Sequence, residues 1–310
     1  MPMPIPVPSQ MSGEYQMPAE EYRSVDALNF STAKHALKSP LAYKAALCDK
    51  QTKATSAMEL GTLAHTALLE PSEFKHRTMC APQGARRGSK AWTDAATVAS
   101  SKGKMFVKQS DYDRASMIAD SVRSSADAMR VLESDGTPPW LSDTDRQDVN
   151  LGLVSASDVA ESKFEASYFW FDKRTGLRLK ARVDCVSYVD DMVYVVDFKT
   201  TEDASPRVMS HRLVAEPYHY LIQLAWYCRA LKAEYGEDVT ACIIAAEKSN
   251  GFTTGTYMIE PDVLEVADKQ IDDLLDTVVK IEAGDTEQMH YTEGHIHPPE
   301  WWYKQKGLVQ

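Results

Sequence analysis

A chain of 310 residues, 44% hydrophobic and 25% charged, can bury a sizeable core and has the balance of a soluble globular protein. No run of about 18 apolar residues is present, which excludes a transmembrane helix. The opening MPMPIPVPSQ has neither the charged nor the continuous apolar region of a secretory signal. The formal net charge of −11 does not by itself suggest nucleic-acid binding, but its distribution is uneven. Residues 1–150 carry 18 Lys+Arg against 18 Asp+Glu, and residues 151–310 carry 16 against 27. Between 84 and 108 the cations Arg86, Arg87, Lys90, Lys102, Lys104 and Lys108 meet only Asp94, so a local basic groove is compatible with an acidic total. Five cysteines, at 48, 80, 185, 228 and 242, form no C-x-x-C pair. They read as reduced thiols of a cytoplasmic protein, with no disulfide framework, zinc site or iron–sulfur cluster.

The alternating prolines predict an extended leader to about residue 22. Residues 28–47 have helical spacing, broken at Ser39-Pro40. A stronger helix is expected over 55–69, stopped by Pro71. Gly61 within it sits where propensity disfavours glycine, which marks close approach by another element. Residues 88–103 and 111–133 also read as helices, and 134–162, rich in Ser, Asp, Gly and Pro, as a long connection. The pattern then changes to strands. Residues 163–172 alternate and are aromatic-rich, 177–189 alternate strictly over their first half, and Asp190-Asp191 makes the turn into 192–198. The last, MVYVVDF, is a nearly continuous apolar run, as expected of a central strand covered on both faces. A helix over 217–234, strands over 239–247 and 253–259, and a helix over 261–282 follow. The order predicts an α/β or α+β core, a mixed sheet flanked by helices with an N-terminal helical elaboration over 23–133. After the leader the chain reads as one domain. Its tail, 283–310, carries His290, His295 and His297, with Trp301-Trp302 packing back on the domain.

Chemistry concentrates on the central hairpin. Asp197 and Lys199 are two apart at the end of the apolar strand, so they share a sheet face. Asp184, on the preceding strand, can approach Asp197 across the pair. Like charges buried together are costly unless a cation compensates them, and a hard divalent ion, Mg²⁺ or Mn²⁺, does so through oxygen ligands. Such an ion acidifies a bound water and polarises a phosphodiester. Lys199 would orient or deprotonate the nucleophile, or neutralise the transition state. Gln223 and Tyr227, at i and i+4, share one face of the helix that follows. Alternation also places Arg178, Lys180, Arg182 and Asp184 on one face, where the cations could steer a DNA backbone.

The set resembles the PD-(D/E)XK nuclease superfamily, and within it the RecE-type (exonuclease VIII) and lambda-exonuclease-like branch of phage recombination nucleases. The resemblance rests on Ser31, Ser39-Pro40 and Tyr43, on Leu60-Gly61-Thr62-Leu63-Ala64-His65, on Arg86-Arg87-Gly88-Ser89-Lys90-Ala91-Trp92, on Glu165 with Trp170, and on Asp184, Asp197–Thr201 and Gln223-x₃-Tyr227. It implies that Asp184 and Asp197 are metal ligands with the backbone carbonyl of Phe198, and that Lys199 is the catalytic lysine. His65 would sit at the metal or near the scissile phosphate, and Glu165 would reach a second metal. Gln223 and Tyr227 would line the site, and Arg86, Arg87 and Lys90 would contact phosphate. The implied activity is Mg²⁺-dependent exonucleolytic digestion of one strand of linear duplex DNA, 5′ to 3′, leaving 3′ overhangs for a single-strand annealing protein. A ring-like homo-oligomer, a phage or prophage origin and the host cytoplasm are implied with it. Another nuclease of the superfamily, of repair or restriction type, is the alternative, as is a non-catalytic DNA-binding protein on the same scaffold.

Overall fold

Seven strands among the described residues form one mixed sheet, and helices cover both of its faces. The computed structural model describes residues 12–48, 56–216, 218–236, 238–249 and 251–284. Strand β1 (Gly13–Tyr15) and helix α1 (Ala19–Ser24) precede β2 (Leu28–Asn29), α2 (Phe30–Ala33), a 3₁₀ turn at Lys34–Leu37 and α3 (Pro40–Cys48). Helices α4 (Ser56–Leu69) and α5 (Pro71–Arg77) lead to β3 (Thr78–Cys80), α6 (Lys90–Ser101), β4 (Met105–Val107), α7 (Gln109–Arg123) and α8 (Ala126–Leu132). Short helices α9 (Asp143–Asn150) and α10 (Ala156–Val159) come before the long strands β5 (Lys163–Phe171), β6 (Arg178–Val189) and β7 (Met192–Thr201). Then follow α11 (Pro206–Val214), α12 (Tyr220–Tyr235), β8 (Val239–Glu247), β9 (Thr254–Ile259) and α13 (Pro261–Glu282).

The sheet runs β1-β5-β6-β7-β8-β9, with β2 added parallel to β6. Neighbours β5–β6, β6–β7 and β8–β9 are antiparallel. β7 and β8 are parallel, because α11 and α12 carry the chain back across the sheet between them. Asp190 and Asp191 both have positive φ, 49° and 61°, the backbone of a two-residue turn that matches strand twist. Along β7, Val193 and Val195 join the core beneath α12 and α13, while Val196 and Phe198 join the opposite core beneath α4, α7 and α8. That division explains why MVYVVDF is apolar without a break. α13 buries Leu264, Ala267, Ile271, Leu274, Leu275, Val278 and Ile281, a stripe at helical spacing. α12 lies between α13 and the sheet and is buried on most sides; truncating its fully buried Trp226 to alanine would cost about 3–5 kcal/mol.

The α/β class with its flanking helices is as the sequence implied. Several local expectations are corrected. The leader does not extend to residue 22, because β1 pairs with β5 and α1 packs Tyr22 against Phe169. Residues 28–47 are divided by the 3₁₀ turn, and 111–133 by Ser125, whose side chain caps α8. Pro71 begins a helix rather than only ending one, since proline at the first helical position has no needed N–H to lose. The connection 134–162 contains α9, capped by Ser142. Residues 1–11 and 285–310, with His290, His295, His297, Trp301 and Trp302, lie outside the described residues.

Candidate active site

The β6–β7 ladder runs from Val189 opposite Met192 to Cys185 opposite Val196, and stops there. Asp184 and Asp197 are the next residues on each strand. β7 continues beside β8 as far as Thr201, so β6 and β7 part at the two acids. The β5–β6 ladder is interrupted at the same level. Phe164 pairs with Cys185 and Ala166 with Val183, while Glu165 between them has φ of 52°. Side-chain alternation shifts across this break: Val183 and Val186, three apart, both enter the α12–α13 core, and Cys185 enters the other. The sheet is therefore open where its acidic residues are. His65 arrives from α4 on the face that carries Phe198 and reaches Asp184 at the opening.

Asp197 is 1% exposed, and its Oδ1 is buried with no hydrogen-bond partner. Its Oδ2 lies 2.6 Å from Lys199 Nζ, confirming that the two share a face. Burial works against the Lys199 ammonium, but the Asp197 and Asp184 carboxylates outweigh it and hold its pKa above the ordinary lysine value. Asp184 Oδ2 accepts from the Phe198 N–H at 2.8 Å and lies 3.6 Å from His65 Nδ1. Burial, then the Asp197 charge, push the Asp184 carboxyl up to about 7. Burial and the Lys199 charge hold His65 below the ordinary histidine value, so its imidazole is neutral with a lone pair to offer. Its ring packs 4.9 Å from that of Phe198. Glu165 is raised by burial and by Asp184, and is gripped by Arg182 Nε at 2.7 Å. One ligand atom from each of His65, Glu165 and Asp184 lies within 4.8 Å of the others, close enough for a single cation. Gly61 explains how α4 comes so near: a β-carbon there would sit 3.2 Å from Thr200 Oγ1 on β7.

Gln223 Nε2 donates to Tyr227 Oη at 2.7 Å. Burial first, and then Asp197 and Asp184, raise the Tyr227 phenol well above its ordinary value, so α12 delivers this pair to the acids. The structure thus gathers Asp184, Asp197, Lys199, Phe198, His65, Glu165, Gln223 and Tyr227. Of the basic residues expected at DNA it brings only Arg182 to the cluster, where it holds Glu165. Lys180 is 5% exposed, and its ammonium donates to the carbonyls of Tyr22, Arg23 and Val25 at the end of α1, which corrects its assignment to DNA. Arg182 is likewise turned inward, to Glu165, Ser167 and the Met17 carbonyl, and Arg178 donates to the Asp26 carbonyl. These three side chains hold the segment before β2 against the sheet. Arg86, Arg87 and Lys90 are exposed on the loop before α6 and at its start. Arg87 borders a cleft of about 550 Å³ with Leu63, Trp92, Lys108, Arg114 and Lys248, alongside α4. Tyr220 was not anticipated. Its ring lies 5.0 Å from Lys199 Nζ, and the available signal was its position three residues before Gln223 on the same helix.

An α/β/α sandwich whose central sheet forks at two acids, with a lysine two residues beyond the second, has the PD-(D/E)XK nuclease fold. The chain belongs to the family described as a PDDEXK-like domain of unknown function (DUF3799), which matches residues 29–294. A protein from Eubacterium rectale, described as a candidate exonuclease, is similar over 94% of this chain and 99% of its own, with a TM-score of 0.54 and 11% identity. At that identity the likeness shows the shared fold. SSO0001 (16% identity, 43% of this chain, 57% of the other, TM-score 0.26) and protein VC1899 from Vibrio cholerae (9%, 81%, 58%, 0.24) are too dissimilar to support an argument. No curated protein matches the chain.

Proposed function

We propose that this protein is a metal-dependent DNA exonuclease that hydrolyses one strand of linear duplex DNA. The observation that carries the reading is the buried Asp197 carboxylate, one oxygen of which no protein group satisfies, set beside Asp184 and Lys199 where the sheet opens. A buried carboxylate oxygen without a partner is costly, and a divalent cation is the partner that it and the oxygens of Asp184 and Glu165 fit. Asp184, Asp197 and Glu165, with His65 and the Phe198 carbonyl, would hold it; the donor set suits Mg²⁺ and, through the imidazole, Mn²⁺. When bound, the ion supplies an acidified water and neutralises charge on the phosphodiester.

The chain's own groups then have distinct tasks. Lys199 is kept cationic by its two acids, which favours charge stabilisation at the phosphate over a role as base. Arg182 fixes the Glu165 carboxylate at the edge of the cluster. Gln223 and Tyr227 wall the α12 side and would hold the cut strand. Digestion from the 5′ end, production of 3′ overhangs for a strand-annealing protein, a ring-like homo-oligomer and action in the cytoplasm of a phage-carrying bacterial host rest on the sequence resemblance. The candidate exonuclease of the same fold is consistent with the end-directed activity. The test is digestion of linear, nicked and closed circular duplexes, labelled at each strand terminus, with Mg²⁺. Release of 5′ label from linear DNA with intact circles supports the proposal. Cleavage of closed circles overturns exonuclease action, and release of the 3′ label first reverses the polarity.

A further inference from the structure

A row of rings and cations leads from Lys199 to the protein surface. Lys199 Nζ stands 5.0 Å from the centre of the Tyr220 ring, the Tyr220 and Tyr218 rings are 5.4 Å apart, and the Arg212 guanidinium lies 5.2 Å from the Tyr218 ring. Arg212 also donates to the Thr201 hydroxyl at the end of β7, which ties the row back to the strand that carries Asp197 and Lys199. Exposure rises along it. Lys199 is 17% exposed, Tyr220 half-buried and Tyr218 37% exposed. Tyr220 packs against the core, whereas Tyr218 joins none of the hydrophobic clusters among the described residues.

The backbone holds this row in place. The amides of Tyr218 and His219 both donate to the Ala215 carbonyl, at 3.0 and 3.1 Å, and the His219 carbonyl accepts from Gln223 N at 3.1 Å. His219 has φ of 51°, a left-handed setting that a residue with a β-carbon adopts where its surroundings impose it. In a continuous helix, residues two apart do not face each other; the left-handed His219 is what allows the rings of Tyr218 and Tyr220 to meet.

We propose that Tyr218, with Arg212 over its ring, is a stacking platform for an unpaired nucleotide of the strand being cut, next to the phosphodiester presented to Lys199. The proposal rests on the nuclease reading and adds to it the form of the substrate at the site. Every base has a π-face, so a tyrosine platform selects unpaired ends without selecting sequence, and the adjacent cations serve the phosphate.

The experiment uses the full chain, with Ca²⁺ in place of Mg²⁺, and a duplex ending in a short unpaired 5′ stretch that contains 2-aminopurine, whose fluorescence is quenched by stacking. Wild type and Tyr218→Phe quench the probe on binding. Tyr218→Ala leaves it bright and binds this DNA about tenfold more weakly. Equal quenching and affinity in Tyr218→Ala overturns the platform, and so does a loss in Tyr218→Phe as large as in Tyr218→Ala, which would assign the effect to the hydroxyl. If wild type binds and, with Mg²⁺, digests DNA without quenching the probe, the platform fails and the nuclease reading stands. If wild type neither binds nor digests any DNA, the nuclease reading itself has failed and the platform goes with it.

Discussion

Asp184→Asn removes a carboxyl whose pKa the fold raises from 3.8 to about 7, by burial first and the Asp197 charge second. The amide keeps an oxygen that can accept from the Phe198 N–H, so the local geometry is retained. With a folded-state pKa above the unfolded one, the native protein binds more protons between those two values, and stability falls as pH rises across them. The stability lost by pH 8 in the metal-free protein is on the order of a few kcal/mol. Asparagine escapes that loss. Because the raised value already includes the attraction of Lys199, the variant should be more stable than wild type at pH 8, by a wider margin than at pH 5. Urea unfolding in EDTA at pH 5 and pH 8 reads this directly, because the difference between the two proteins isolates the one carboxyl. Mg²⁺ at a hundredfold excess over its dissociation constant should restore about 2.7 kcal/mol to wild type and far less to the variant. A variant less stable than wild type at pH 8, with an unchanged pH slope, would refute the reasoning.

Lys180→Met should cost about 2–4 kcal/mol by leaving the carbonyls of Tyr22 and Val25 unsatisfied, while DNA affinity measured by filter binding stays at the wild-type value. A weakened affinity with unchanged stability would return Lys180 to the DNA surface. Gly61→Leu forces α4 away from Thr200 and carries His65 with it; the digestion rate should fall about a hundredfold while helical circular dichroism is retained. An active Gly61→Leu protein would show that the close approach is dispensable. Arg182→Gln frees the Glu165 carboxylate, and calorimetric titration with Mn²⁺ should show metal affinity reduced by about 10- to 100-fold, as for loss of a group that orients a ligand. Unaltered affinity would remove Glu165 from the metal site.

The hairpin was legible because its signals are local. Alternation in β6, two aspartates able to take positive φ at the turn, and an unbroken apolar β7 all follow from strand geometry, and Gly61 announced its contact by violating helix propensity. The inward turn of Lys180 and Arg182 was not legible. Alternation puts them on a face, but whether that face meets solvent depends on α1 and the segment before β2, which pack there through long-range contacts. The left-handed Glu165 was also hidden, since the segment has no Gly, Asn or Asp to signal positive φ; the break appears only when β5 and β6 are paired. Short elements such as β3 and β4, three residues each, carry no period to detect. The row Tyr220, Tyr218 and Arg212 escaped for a related reason, because it depends on a left-handed histidine between two tyrosines.

The most direct measurement of the central claim pairs metal binding with cleavage in two variants. Mn²⁺ titration by calorimetry and digestion of end-labelled linear duplex are run together on wild type, Lys199→Ala and Asp197→Asn. Lys199→Ala should keep metal binding and lose digestion, and Asp197→Asn should lose both. Digestion by Lys199→Ala at the wild-type rate, or undiminished metal binding by Asp197→Asn, would contradict the assignment of this forked strand pair as a nuclease centre.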